Sequence, residues 1–441
     1  MAMRLQEFVR GVVRGRLMAE EELAQYLNTF PPEKRPADGD ALARVLVQDE
    51  KLTTFQATAV LAGKEGQLVL GEFVLLDEIG KGGMGCVFKA VHRPSGAVAA
   101  VKVLPEEAIQ QAVAREAGPA PDTSEAQTGR RSVVLGRFHQ EVAAASRLCH
   151  PNIVAAYESG EANGTHYLVL EYVDGQDLAT LIQEYGPVPV GVAIGWILQA
   201  ARGLEYAHGK NVIHRDIKPG NLLLDREGTI KILDMGLARV MEEEIVGPGA
   251  TLAERLTMRG EMLGTVDYIS PEQAVDTRSA DRRSDIYSLG CTFYRLVTAE
   301  PIYDGETALG KLLAHYEAPI PSLREALPDI SPLLDQAFRK MVAKQPEERY
   351  QSMTEVIAAL RACPEAAAAP RGPWKPTPWP AGQEVAVRAR ASGSLAASNR
   401  TVSGISEGTS WTRRPSTTAE KTISSEEGTT KMGDSATNDK Q

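Results

Sequence analysis

The chain opens on apolar positions that recur at helical spacing: Leu5, Phe8, Val9, Val12 and Val13, then Leu23, Tyr26 and Leu27, then Leu42, Val45, Leu46 and Val47. Such recurrence lays one apolar stripe along a helix, and Thr53 or Thr54 has the hydroxyl to cap a further helix through Phe55 and Leu61. Pro31, Pro32 and Pro36 interrupt the pattern between the second and third helices. Residues 1–70 therefore read as a small helical region that packs on itself or on the rest of the chain, with partner docking as the alternative. From Phe73 the pattern shortens to β-branched and apolar runs punctuated by glycine, which predict antiparallel strands over 73–79, 85–92 and 97–104. After about Pro187 helical segments take over, at 192–208, 283–297 and 331–343. A β-rich first lobe followed by a helical second lobe makes an α+β fold with a cleft between the two.

Two stretches break this order. Residues 106–132 carry Gly118, Pro119, Pro121, Asp122, Ser124 and Gly129, a polar loop longer than a compact fold usually carries without purpose, and are expected to form a mobile insertion. From Pro364 to the end, alanine and proline give way to dense serine and threonine, with Trp374, Trp379 and Trp411 as nearly the only large apolar residues. That composition predicts a disordered tail over 364–441, a candidate linker, docking segment or phosphorylation target.

Composition narrows the function classes. With 43 % hydrophobic and 24 % charged residues in 441, a sizeable core is expected. A net charge of −10 without a basic stripe argues against nucleic-acid binding. The four cysteines, Cys86, Cys149, Cys291 and Cys363, have no C-x-x-C spacing, which points to free thiols in a reducing compartment rather than a zinc site. Arginines break up the first 16 residues, unlike a signal peptide, and no run of about 18 apolar residues occurs. A cytoplasmic protein without a membrane span is expected.

The candidate chemistry begins at Gly80-Lys81-Gly82-Gly83-Met84-Gly85-Cys86-Val87, a glycine-rich run between two predicted strands. Glycines let backbone N–H groups close over phosphates, although a tight hairpin or a dinucleotide fingerprint uses the same residues. A strand comes next where a dinucleotide fold needs a helix, which favours the phosphate-covering loop. The strand after it carries Lys102, whose ammonium can reach phosphates, and Glu141 on a helical stretch from Arg137 to Leu148 can hold that ammonium in place. Farther on stand His214-Arg215-Asp216-Ile217-Lys218-Pro219-Gly220-Asn221 and then Asp234-Met235-Gly236.

In this order and at this separation, these residues resemble the catalytic loop and metal-binding turn of the eukaryotic-like protein kinase family. The Gly-Gly-Met-Gly loop and Ser270-Pro271-Glu272-Gln273-Ala274 look like its bacterial members. The resemblance implies a two-lobed catalytic domain over 73–361, with an N-lobe over 73–173 that includes the 106–132 insertion and a C-lobe over 174–361. It implies ATP and Mg²⁺, or Mn²⁺ in its place. Asp216 would accept or orient the proton of the substrate hydroxyl, Lys218 would steady the phosphoryl group, and Asn221 and Asp234 would supply oxygens to the metal. Ile79, Val87, Ala100 and Leu223 would sandwich the adenine, Leu170 would limit the pocket's depth, and backbone groups of Glu171 and Val173 would bond the base. Asp177 is a weaker candidate for the ribose. Met235 stands where the family more often has phenylalanine, and a flexible thioether can fill the same pocket.

Further resemblances set the substrate class. Lys218 and Thr265 match the serine/threonine branch, so protein serines and threonines are the expected acceptors. Glu272 should bond Arg349, and Asp285 should support the catalytic loop. Arg215 before Asp216 implies an activation loop ordered by phosphorylation, with Thr257 the leading acceptor and Thr251 the second. The competing readings are a pseudokinase serving as scaffold or ATP sensor, and a small-molecule kinase. Retention of Lys102, Asp216 and Asp234 speaks against the first, and the Glu272, Asp285 and Arg349 elements speak against the second.

Overall fold

Each apolar stripe near the N-terminus closes on its neighbours. In the computed structural model, which describes residues 3–82, 85–104, 136, 146–235, 266–276, 279–368 and 374, the stripes form α1 (Leu5–Arg14), α2 (Glu20–Asn28), α3 (Gly39–Gln48) and α4 (Thr54–Leu61). Phe8, Val12, Leu23, Leu42, Leu46 and Val60 bury into one small core. Asp38 caps α3 by accepting from the Ala41 N–H, and Thr53 with Gln56 forms a reciprocal capping box at the start of α4.

The first lobe is a single antiparallel sheet in the order β1-β2-β3-β4-β6-β5. Its strands are β1 (Val69–Leu70), β2 (Phe73–Gly82), β3 (Gly85–His92), β4 (Val98–Val103), β5 (Ala156–Ala162) and β6 (Thr165–Glu171). Leu70, Phe73, Leu75, Ala90, Ala99, Val101, Tyr167 and Val169 form its buried face. β2 runs past the predicted end at Ile79, because Gly80, Lys81 and Gly82 stay in the ladder opposite Val87, Cys86 and Gly85. Glycine reads as a loop signal in the sequence, whereas here the missing side chains leave the backbone able to keep pairing as far as Gly82 and Gly85.

A second sheet, β7 (Gly175–Asp177), β8 (Leu222–Asp225) and β9 (Ile230–Ile232), lies on the helical lobe. The helices are α5 (Leu178–Tyr185), α6 (Val190–His208), α7 (Pro271–Val275), α8 (Arg282–Thr298), α9 (Ala308–Glu317), α10 (Leu323–Ala326), α11 (Pro332–Met341) and α12 (Met353–Ala362). α6 and α8 run through the centre of the core, with Ile197, Leu204, Ile286, Phe293 and Leu296 all buried. Gly203 lets α6 approach the β9 side: a Cβ there would lie 2.8 Å from Ile232 Cδ1 and 3.0 Å from the Asn152 carbonyl.

Order continues past the predicted start of the tail at 364. Pro364–Ala368 forms a 3-10 turn, and Glu365 accepts from the Ser331 N–H at 2.5 Å and from the Ser331 hydroxyl at 3.0 Å at the start of α11. Trp374 meets Trp196 edge to face at 5.4 Å. An alanine- and proline-rich composition hid one useful carboxylate and one half-buried indole. The insertion at 106–132, and Gly83, Met84, Glu141, Thr251, Thr257 and Thr265, lie outside the described residues, as does the chain beyond Trp374.

Candidate active site

Lys102 sits on β4, an inner strand of the sheet, paired with Val87 on β3 and Leu168 on β6. Its ammonium donates to both oxygens of Asp234, each at 2.9 Å. Asp234 follows β9 and takes a left-handed φ of +53°, a conformation that costs an aspartate energy unless its surroundings hold it. Enclosure pushes its carboxyl pKa up, but Lys102, first by charge and then by hydrogen bonding, outweighs that and holds it below the ordinary value. One carboxylate of the second lobe and one amine of the first therefore meet across 132 positions of sequence.

The segment from His214 to Asn221 supplies the second group. Asn221 donates its amide nitrogen to the Asp216 carbonyl at 2.7 Å and to the Asp216 carboxylate at 2.9 Å. Lys218 pairs with the same carboxylate oxygen at 2.8 Å, and both side chains keep partial exposure. The Leu233 N–H donates to the Asn221 carbonyl at 2.9 Å, so the loop and the strand leading to Asp234 are tied directly. His214 strengthens the tie: its Nε2–H donates to the Leu233 carbonyl at 2.7 Å while its Nδ1 accepts from the Asp216 N–H at 3.2 Å.

Beneath the loop lies Asp285, on α8 and fully buried. It accepts from the backbone N–H of His214 at 2.9 Å and of Arg215 at 2.7 Å, and from His208 at 2.7 Å. Burial pushes its carboxyl up, and the His208 bond and charge with the His214 contacts outweigh burial, leaving the pKa below the ordinary range. Arg215 has a left-handed φ of +70°, held from both sides by Asp285 on its N–H and by the Gln273 amide on its carbonyl at 2.9 Å. Glu272 makes the expected bond to Arg349, as a two-pronged pair with both distances 2.7 Å. Arg349 further donates to the carbonyls of Ala343, Lys344 and Arg283, and stacks over Tyr287.

The positions read as adenine contacts are placed as follows. Ala100 pairs with Leu170 across β4 and β6, both buried, while Ile79 on β2 stays exposed. Leu223 is on β8 opposite Lys231. The Glu171 N–H is committed to the Ala155 carbonyl at 2.8 Å and its side chain pairs with Lys231 at 2.7 Å, which narrows any base contact at Glu171 to its carbonyl. Asp177 is the N-cap of α5, accepting from the N–H groups of Ala179 and Thr180 and from the Thr180 hydroxyl, so a ribose contact must share that carboxylate. Met235 is buried in the core that also holds Leu148.

Sequence reasoning missed the partners that are generic in type: His208 on Asp285, Gln273 on Arg215, Ser284 on Glu272 and Lys231 on Glu171. No local spacing marks them, since each lies 12 to 77 residues from the group it serves.

A family model described as protein kinase domain matches residues 73–359. The chain is 37 % identical over 229 residues to the serine/threonine-protein kinase PknB of Mycolicibacterium smegmatis, covering 51 % of this chain and 35 % of that protein. It is 31 % identical over 296 residues to the serine/threonine-protein kinase PrkC of Bacillus subtilis, covering 67 % and 41 %. A probable serine/threonine-protein kinase of Corynebacterium efficiens is 32 % identical over 302 residues, with 66 % and 41 % covered. These matches thus span well under half the length of those relatives.

Proposed function

Since this chain belongs to the protein kinase family, whose members use ATP and a divalent metal, we propose that it transfers the γ-phosphate of ATP to serine and threonine hydroxyls of proteins. The observation that carries this reading is the convergence of Lys102, Asp234, Asp216, Lys218 and Asn221 on one cleft. The Ser/Thr preference draws support from the serine/threonine kinases to which the chain is similar and from Lys218 two positions after Asp216.

The residues fit a divalent metal. Asp234 offers hard carboxylate oxygens, and Asn221 spends its amide nitrogen on Asp216, which reserves its amide oxygen for a cation. Among the described residues no group of three or more His, Cys, Asp or Glu could hold a metal by itself. We propose that the cation is shared between the Asp234 and Asn221 oxygens and nucleotide phosphates, and assign it as Mg²⁺, with Mn²⁺ able to substitute. When bound, the metal neutralises charge on phosphate oxygens.

The chain's own groups then have distinct tasks. Asp216, aimed by Asn221 and by the His214-buttressed backbone, accepts the proton of the attacking hydroxyl. Lys218 and Lys102 hold negative charge that spreads over the transferring phosphoryl oxygens. Phosphorylation of Thr257, with Thr251 second, completes the proposal: Arg215, fixed through its backbone beside Asp216, carries a guanidinium suited to a phosphate. Among the described residues no helix is long and apolar enough to cross a membrane. A cytoplasmic setting is proposed on the four free cysteines.

The test uses purified full-length chain, γ-labelled ATP, Mg²⁺ and a serine- and threonine-containing protein acceptor. Wild type transfers label, and Asp216→Ala and Lys102→Ala do not; persistence of transfer in both variants sinks the assignment. Thr257→Ala is expected to lower activity, and equality with wild type removes the switch.

A further inference from the structure

One helix outside the catalytic domain grips the strand that leads into the glycine-rich turn. In the β2–β3 ladder, Leu75 pairs with Ala90 and Asp77 with Lys89, so the register slips at Leu76. β1 pairs with β2 only as far as Val74, so beyond it the outer edge of β2 has no strand partner, which is costly for carbonyls shielded from water. Here α4 supplies the donors: the Gln56 amide nitrogen donates to the Leu75 carbonyl at 2.8 Å, and the Thr53 hydroxyl to the Leu76 carbonyl at 2.5 Å. The Leu75 N–H donates to the carbonyl of Leu68, which is buried in the helical core.

The same two side chains already form the capping box of α4. Thr53 Oγ1 accepts from the Gln56 N–H at 3.1 Å, and Gln56 Oε1 accepts from the Thr53 N–H at 3.0 Å. A box of this type works equally with glutamate at the third position. Only an amide can close the box with its oxygen and donate to Leu75 with its nitrogen, which accounts for a glutamine that is 4 % exposed. Phe55 adds a ring contact at 5.6 Å to Phe88, which pairs with Glu78 just before a second slip, between Glu78 and Gly80. Both strands that carry the glycine-rich turn are therefore held by α4, immediately upstream of Ile79–Gly82.

We propose that Thr53 and Gln56 are positioning residues for the nucleotide: by pinning Leu75 and Leu76 they set the placement of Ile79–Gly82 over the cleft. This rests on the kinase reading. The alternative is that the two residues only join the helical region to the sheet.

The experiment uses the full chain with Thr53→Val, Gln56→Met and the double variant, beside Leu42→Val, which loosens the helical core without touching β2. ATP affinity in Mg²⁺ is measured by calorimetry well below the melting temperature, with steady-state kinetics in parallel. The double variant is expected to weaken ATP binding and raise its KM about tenfold, as two unsatisfied carbonyls imply, with kcat and the KM of the protein acceptor little changed. Each single variant is expected to show a smaller loss, and Thr53→Ser to restore binding. Leu42→Val lowers the melting temperature and leaves ATP affinity intact. ATP affinity equal to wild type in folded variants overturns the proposal. A wild type that binds ATP yet transfers no phosphate sinks the kinase reading instead, and the affinity comparison still decides the role of Thr53 and Gln56.

Discussion

Asp234 and Asp285 are one residue type in two settings, and both have carboxyls held below the ordinary range. Asp285 is fully buried and spends its oxygens on His208, His214 and Arg215. Asp234 faces the cleft, keeps a quarter of its side-chain surface exposed, and pairs with Lys102. The pair formed by Glu272 and Arg349 belongs with Asp285, since its guanidinium is fully enclosed and satisfied by carboxylate and carbonyls. A charge saturated by fixed protein donors stabilises a shape, whereas a charge left accessible and held by one amine can take on a ligand. A depressed pKa alone does not separate the two roles. The separation comes from exposure and from how many protein donors each carboxylate already has.

The comparison breaks most visibly if cleft and buried acids respond alike to mutation. Asp216→Asn is expected to lower phosphate transfer by roughly 10²- to 10⁴-fold while the melting temperature stays near wild type; a collapse in stability would move Asp216 to the structural class. Arg349→Ala should do the reverse, destabilising the fold by about 3–5 kcal/mol because Glu272 is left with an uncompensated charge. Urea unfolding measures this, and adding Glu272→Gln to the same chain is expected to recover part of the loss.

pH sharpens the contrast further. Asp285 and Glu272 both have folded-state pKa values below the ordinary one. Each therefore contributes stability that is complete above the unfolded value of about 4 and is lost as pH falls through the depressed folded value. Urea midpoints should be level from about pH 7 to pH 5 with respect to these groups and fall steeply below about pH 4. The Glu272→Gln, Arg349→Met chain should show a shallower acid fall; an unchanged slope would remove this pair as a contributor. The smallest effect is expected at Met235→Leu, a near volume-conserving change in a buried pocket, costing less than about 1.5 kcal/mol, with transfer activity within a few-fold of wild type.

Legibility in the sequence differs by the range of the interaction. The four N-terminal helices follow from stripe spacing and from Thr53 as a cap, and β3 follows from its apolar run between glycines. The pairing of Glu272 with Arg349 and the support of the loop by Asp285 are legible through family resemblance, and the hydrogen bonds are present. β2 ends later than the sequence predicts and a 3-10 turn forms at 364–368, since glycine within a ladder and a carboxylate within an alanine-rich stretch look locally like loop and tail.

Local order and the β-then-α succession of lobes were encoded in short windows, because propensity and capping act over a few residues, and the candidate chemistry-bearing side chains were pointed to by resemblance to a family. The Lys102 to Asp234 contact, the third partner of Asp285, and the use of Gln56 to bond a strand carbonyl are of another kind. Each joins groups that chain distance separates and packing brings to about 3 Å, a range at which a hydrogen bond depends on tenths of an ångström. Residue type made those contacts feasible, and the folded arrangement selected which of many feasible partners meet.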